Sequence, residues 1–272
     1  MRPDAPSSPQ ESVAVVLLRI GSRGAPSSLR QVVDACPAKS LWQHAGMGVA
    51  PPTPVFLEIE PDAALLAAAG KVLSTEEAAR ASKLRDADAR SAFTLAHACL
   101  RMWLAREIDA SAADLEFEAG QFGKPSLVHG NGVLHFNLSR RPGWAAIALG
   151  TVALGVDVEV IRPDIDIAGI AGRFYTDEER RHVLAGGHGP SLGRFFAIWS
   201  RKEALLKAAG LGVDSLGAAA ALKSAATLTD DSGASRSYAV HSLESPAECS
   251  LALATEVSPA FPAKTWPNPT HN

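Results

Sequence analysis

Short apolar stretches divided by tight turn signals between residues 127 and 159 leave this chain little choice but an antiparallel sheet. Residues 127–128 and 133–138 flank His129-Gly130-Asn131-Gly132, and Asn-Gly is a strong hairpin signal. Residues 144–149 and 153–159 flank Gly150-Thr151, a second tight turn. These signals predict two hairpins. Leu134, Phe136 and Leu138 alternate with His135, Asn137 and Ser139, the period of a half-buried strand.

Helical signals lie on both sides. Ser74-Thr75-Glu76-Glu77 reads as a helix start, with Ser74 as cap and Glu77 closing a capping box. Residues 90–106 place Phe93, Leu100 and Leu104 on one helical face. Helices are predicted near 167–173, at 176–184 and at 194–209, the last stopped by Gly210 and Gly212. Strands are predicted at 55–59, 239–243 and 250–255. Strands and helices thus follow one another twice. That order implies an α+β protein of two halves meeting near residues 150–153, without detectable sequence repetition. Residues 1–52 are rich in Pro, Ser, Gly and Ala and close on Ala50-Pro51-Pro52. They are predicted to form a poorly ordered extension, with at most a short strand or helix at 13–20. Removing residues 1–48 is accordingly expected to leave folding and activity unchanged. The N-terminal half is assigned to 53–151, the C-terminal half to 152–257, and a loose tail to 258–272.

Composition narrows the function classes. The 272 residues carry a net charge of −3 and a pI near 6.2, without the basic excess of a general nucleic-acid binder. Cys36, Cys99 and Cys249 are far apart and form no CxxC pair, so neither a disulfide framework nor a cysteine zinc site is implied. The apolar run at 13–18 is too short to span a bilayer, and Asp4, Glu11 and Arg19 around it do not suit a signal peptide. A cytoplasmic setting, with no membrane and no nucleic-acid partner, is the expectation.

The chemistry lies in three stretches. In Gly155-Val156-Asp157-Val158-Glu159 the two carboxylates share one strand face, about 7 Å apart. Adjacent carboxylates repel unless a cation sits between them, and hard oxygen donors suit Mg²⁺. Alone, the pair reads first as a solvated sheet edge. In Trp199-Ser200-Arg201-Lys202-Glu203-Ala204-Leu205-Leu206-Lys207, residues Trp199, Glu203 and Lys207 fall on one helical stripe. Glu203 is a candidate third metal ligand and Lys207 a phosphate contact; an ordinary i,i+4 ion pair is the plainer reading. Phe136-Asn137-Leu138-Ser139-Arg140-Arg141 ends in a hydroxyl and two guanidinium groups, an arrangement that matches phosphate oxygens or a solvated basic turn. Gly123-Lys124-Pro125 adds a turn with a lysine.

Taken in chain order, with Arg173-Phe174-Tyr175 and Glu178 between the third and the last, these stretches resemble the Sfp-type 4′-phosphopantetheinyl transferases over residues 72–216. The resemblance implies a pseudo-twofold monomer of two similar α+β halves with coenzyme A in the cleft between them. It implies transfer of the 4′-phosphopantetheine arm to a serine of an apo acyl or peptidyl carrier protein, releasing 3′,5′-ADP. Asp157, Glu159 and Glu203 match the family's Mg²⁺ ligands, and Lys207 the lysine at the phosphates. Lys124, Ser139 and Arg140 match positions along the nucleotide and its 3′-phosphate, and Arg90 is the basic residue that remains in the first-half helix. Glu203 is assigned as general base. A carrier is expected to dock beside residues 165–184, near Arg173, Arg180 and Arg181. One departure stands out: the family usually has histidine where this chain has Arg140, and arginine stays charged throughout the working pH range. Two other readings fit the same residues, a non-catalytic relative that binds coenzyme A or a carrier, and a Mg²⁺-dependent phosphohydrolase. Whether the carrier serves fatty-acid, polyketide or nonribosomal-peptide synthesis stays open.

Overall fold

The computed structural model describes residues 11–21, 28–44, 50–128, 134–185, 190–229 and 233–257. The strands are β1 (Ser12–Ile20), β2 (Gln43–His44), β3 (Val55–Ile59), β4 (Phe117–Ala119), β5 (Pro125–Leu127), β6 (His135–Arg141), β7 (Trp144–Gly150), β8 (Leu154–Val160), β9 (Ala225–Thr229), β10 (Ser235–Leu243) and β11 (Cys249–Val257). The helices are α1 (Leu29–Ala35), α2 (Ala63–Gly70), α3 (Thr75–Ser82), α4 (Ala87–Ile108), α5 (Ile167–Phe174), α6 (Asp177–Leu184) and α7 (Leu192–Ala209).

The α+β expectation holds, and the two halves repeat one topology. In the first sheet β1 pairs with β7 and β7 with β6; in the second β8 pairs with β11 and β11 with β10, all antiparallel. Each half therefore runs strand, long helix, hairpin, with the hairpin's second strand set beside the first strand of the half. Helix α4 covers the outer face of the first sheet through Leu95, Cys99 and Trp103. Helix α7 covers the second through Phe196, Leu205 and Ala208. The inner faces pack on each other, Val13, Val15 and Leu17 meeting Val156, Val158 and Leu253 among others. The result is four layers, helix–sheet–sheet–helix.

The predicted capping box at Ser74 is present, Ser74 Oγ accepting from Glu77 N and Glu77 Oε2 from Ser74 N. Helix α7 ends where glycine was expected, with Gly210 in the left-handed region at φ 68°.

Residues 12–20 overturn the boundary drawn at residue 52. They form β1, bonded to β7 on one side and to β2 and the parallel β3 on the other. Residues 13 to 18 are all buried, even-numbered side chains under α4 and odd-numbered ones between the sheets. A strand buried on both faces reads as a continuous apolar run without alternation, which is why its sequence left strand and helix undecided. Helix α1 and β2 also lie inside the supposed extension, so the first half begins at β1. Residues 1–10 and the tail at 258–272 lie outside the described residues.

Both predicted hairpins are also corrected. Strand β5 pairs with β4, and β8 pairs with β11 rather than with β7. The residues of the Asn-Gly turn, 129–133, lie outside the described set. The hairpin that forms joins β6 to β7 through Pro142-Gly143, closed by the pair Arg141–Trp144. Gly143 stands at φ 73°, a conformation in which proline-glycine turns are at ease. Among the described residues no helix is long and apolar enough to cross a membrane.

Candidate active site

Strands β6 and β8 are the facing edges of the two sheets, and side chains rather than a backbone ladder join them. Asn137 Oδ1 accepts from Val156 N at 2.9 Å and Ser139 Oγ accepts from Val158 N at 3.3 Å. The alternation Asn-Leu-Ser makes this possible: Phe136 and Leu138 turn into the core under α4 while Asn137 and Ser139 reach across the seam. On β8 the expected alternation also holds. Val156 and Val158 lie between the sheets, and Asp157 and Glu159 turn away from them.

Helix α7 lies directly against this strand because Gly155 has no side chain. A Cβ there would stand 2.2 Å from Ala204 O and 2.4 Å from Ala208 N, both backbone atoms. The close approach sets Lys207 over Asp157, with Nζ donating to Asp157 Oδ1 at 2.5 Å and to Ser139 Oγ at 3.0 Å. Ser139 in turn donates to the same Asp157 oxygen at 2.8 Å. Glu159 is held by Arg141, whose Nε donates to Oε2 at 2.7 Å and whose Nη2 donates to Oε1. Trp199 Nε1 donates to Glu159 Oε1 at 3.0 Å.

Asp157 is fully buried, and its Oδ2 has no hydrogen-bond partner. Burial pushes its carboxyl above the usual carboxylate range against the pull of Lys207, and Glu159 adds to the rise. Glu203 is raised likewise, first by burial and then by the charge of Asp157. Asp157, Glu159 and Glu203 therefore share one electrostatic cluster with Lys207 and Arg141. Among the described residues they do not form a ready-made group of three metal donors, and Lys207 and Arg141 occupy two of the carboxylates. The unpartnered oxygen of Asp157 and the raised carboxyl of Glu203 are the features that a cation would relieve.

Beside this cluster a cavity of about 640 Å³ opens over the first half, lined by Arg80, His97, Phe136, Asn137 and Arg140 among others. Arg140 lies over the Phe93 ring at 4.5 Å, and Arg80 over the same ring at 5.4 Å. Phe93 stacks on His97, with centroids 3.8 Å apart. Burial lowers the His97 pKa to about 4, so this imidazole is neutral at pH 7. Two guanidinium groups thus share one aromatic platform, each within the other's field.

Sequence reasoning placed Asp157, Glu159, Glu203, Lys207 and Arg140 where the structure gathers charge. Three other assigned residues have partners within the protein. The Ser139 hydroxyl is spent inside the protein, holding Asp157 and bridging the sheets. Lys124 Nζ donates to Leu154 O at 2.9 Å and Ala208 O at 3.3 Å, strapping the turn at 120–124 to the second half, and it does not line the large cavity. Arg90 is exposed at the start of α4, donates to Leu84 O at 2.7 Å, and also lies off the cavity. Arg80, Phe93, His97 and the Arg141–Glu159 pair were not foreseen. Arg141 carried one signal, its place two residues beyond Ser139 on the same strand face.

Known proteins carry the same signature. Residues 153–259 match the family described as the 4′-phosphopantetheinyl transferase superfamily. The chain is 32% identical over 148 residues to the 4′-phosphopantetheinyl transferase HetI of Nostoc, covering 53% of this chain and 62% of that protein. It is 38% identical over 97 residues to psf-1 of Bacillus pumilus, covering 36% and 40%. It is 29% identical over 114 residues to Sfp of Bacillus subtilis, covering 42% and 50%. The chain thus spans less than two thirds of the length of these relatives.

Proposed function

We propose, from the premise that residues 153–259 carry the 4′-phosphopantetheinyl transferase signature, that the protein transfers the 4′-phosphopantetheine arm of coenzyme A to a serine of an apo carrier protein. The observation that carries this reading is Asp157: a buried carboxylate with one free oxygen, set beside Glu159, Glu203 and Lys207, with a cavity nearby whose lining includes Arg80 and Arg140.

Asp157, Glu159 and Glu203 would hold Mg²⁺, which when bound supplies positive charge to the pyrophosphate and to the departing 3′,5′-ADP. Arg140, supported on Phe93, pairs with the nucleotide's 3′-phosphate, and Arg80 adds a second guanidinium to the same wall. Lys207 presents its ammonium to the phosphate oxygens beside Asp157. The carrier serine oxygen attacks the phosphorus next to the pantetheine. A new O–P bond forms there while the bond to the other phosphate breaks. The serine proton passes to Glu203, on a carboxylate oxygen not engaged with the ion. The carrier docks beside α5 and α6, which carry Arg173, Arg180, Arg181 and the exposed Leu184. One chain suffices for the site because both halves contribute to it, so the working unit is a monomer. The three buried free thiols fit a cytoplasmic setting.

The test is to incubate the protein with coenzyme A, Mg²⁺ and a panel of apo carriers and to weigh the carriers by mass spectrometry. A phosphopantetheine adduct on the carrier serine, absent with Asp157→Ala, is the expected result. Phosphate or nucleotide release without any carrier would point to a hydrolase instead. Coenzyme A binding without either product would point to a non-catalytic relative.

A further inference from the structure

The carboxylates of β8 are not equivalent. Asp157 keeps one oxygen free, whereas both oxygens of Glu159 are taken by the Arg141 fork. Arg141 Nη1 donates in addition to Arg140 O at 3.0 Å, so the guanidinium is fixed at both ends. The Glu159 side chain is 8% exposed, that of Arg141 37%. The buried partner is therefore the carboxylate, and the cation is the member that can leave toward solvent. A guanidinium does not deprotonate in water, so no pH change within the working range opens the pair. Only competition does.

We infer that Arg141 is a built-in counter-cation for Glu159, which a divalent metal must displace and which sets the metal affinity of the free protein. The inference rests on the reading of Glu159 as a metal ligand. In the metal-free protein Asp157, Glu159 and Glu203 crowd together, and the first two are neutralised by Lys207 and Arg141. A metal gains the Glu159 carboxylate only by breaking two charge-assisted hydrogen bonds, which are the stronger kind. The free protein should then bind the ion weakly. An anionic co-substrate improves binding by giving the released guanidinium a phosphate to hold. Arg141 is in this sense a positioning residue, acting on the site through Glu159.

The test is calorimetric titration with Mg²⁺ and with Mn²⁺ alone, on wild type, Arg141→Ser and Arg141→Lys, without coenzyme A. Arg141→Ser is expected to bind either ion about ten-fold tighter or more, since the two charge-assisted bonds no longer have to be broken. Arg141→Lys keeps the charge but not the fork and should fall between, and it keeps the test open if the serine variant fails to fold. Trp199 supplies a readout independent of activity, because its indole N–H bonds the same Glu159 oxygen. Its emission, isolated by comparison with Trp199→Phe, should change at lower metal concentration in the Arg141 variants. Equal or weaker metal binding by both Arg141 variants would overturn the inference while leaving the metal site intact. No binding by any of the proteins, with or without coenzyme A, would overturn the metal assignment and this inference with it.

Discussion

At the scale of single residues, the site turns on which long side chains reach a ligand and which are spent inside the protein. Arg140 is half-buried, rests on Phe93, and has Arg80 in its field as a like charge. A guanidinium so placed gains from an anion more than a solvated one does. Arg140→Ala is expected to raise KM for coenzyme A about ten-fold or more with little change in kcat, since the 3′-phosphate is remote from the bond that breaks. The same variant should lose much less with 3′-dephospho-coenzyme A, and steady-state kinetics with both substrates checks this. Equal losses would assign Arg140 to the fold. Asp157, Glu159, Glu203 and Lys207 were legible from sequence because strand and helix periods fix which residues share a face. The internal partners of Lys124, Ser139 and Arg90 were not legible, because periodicity gives a face but not the partner at the far end of a side chain. Lys124 spans from the first half to two carbonyls of the second, a contact of sequence separation that no local pattern encodes.

Elements succeed or fail by how closely they approach one another, and two positions decide it here. Gly155 lets α7 lie on β8, and the two nearest atoms that a Cβ would strike are backbone and cannot step aside, the third being Lys207 Cβ at 2.7 Å. Gly155→Ala should destabilise the protein by about 1–3 kcal/mol, the usual cost of overpacking, and should sharply lower transfer by lifting Lys207 from Asp157. Denaturant melts together with carrier-modification rates test it; a wild-type melt with full activity would refute it. The Lys124 strap gives a pH signature. Burial lowers its pKa from 10.5 to about 8, and the neutral amine still has enough N–H donors for Leu154 O and Ala208 O. Between pH 8 and 10.5 the unfolded chain holds a proton that the folded chain has released. The contribution of this group to stability therefore rises with pH across that window. Urea melts at pH 7.5 and 10 should show wild type gaining relative to Lys124→Met as pH rises. The reverse trend, or parallel curves, would mean that Lys124 stays charged. The helices were largely legible, since caps such as Ser74 with Glu77 and the stop at Gly210 act locally. The hairpins were not, because several turn signals competed and only the long-range pairing of β8 with β11 decides among them.

The whole molecule is two copies of one topology packed sheet to sheet, and its first copy depends on β1. That strand lies between β7 and β3 and lends one face to α4 and the other to the second half. Residues 13 to 18 are each 5% exposed or less, and five of the six are Val or Leu except Ala14. Burying one such aliphatic side chain contributes about 1.5–3 kcal/mol, while a whole domain's stability is about 5–15 kcal/mol. Loss of β1 would therefore exceed what the rest can hold, and it would also leave the inner edge of β7 unpaired and open to aggregation. Deleting residues 1–20 should give an insoluble chain, or a soluble one without a cooperative melt. A milder version places one charge between the sheets: Leu17→Asp should unfold the protein or lower its midpoint steeply, because a carboxylate there has no counter-ion and no water. Both are read by solubility and by circular dichroism melts. If the shortened chain melts cooperatively near the wild-type temperature, β1 is dispensable, the second sheet needs no cover from Val13, Val15 and Leu17, and the two halves are held together by the β6–β8 seam instead.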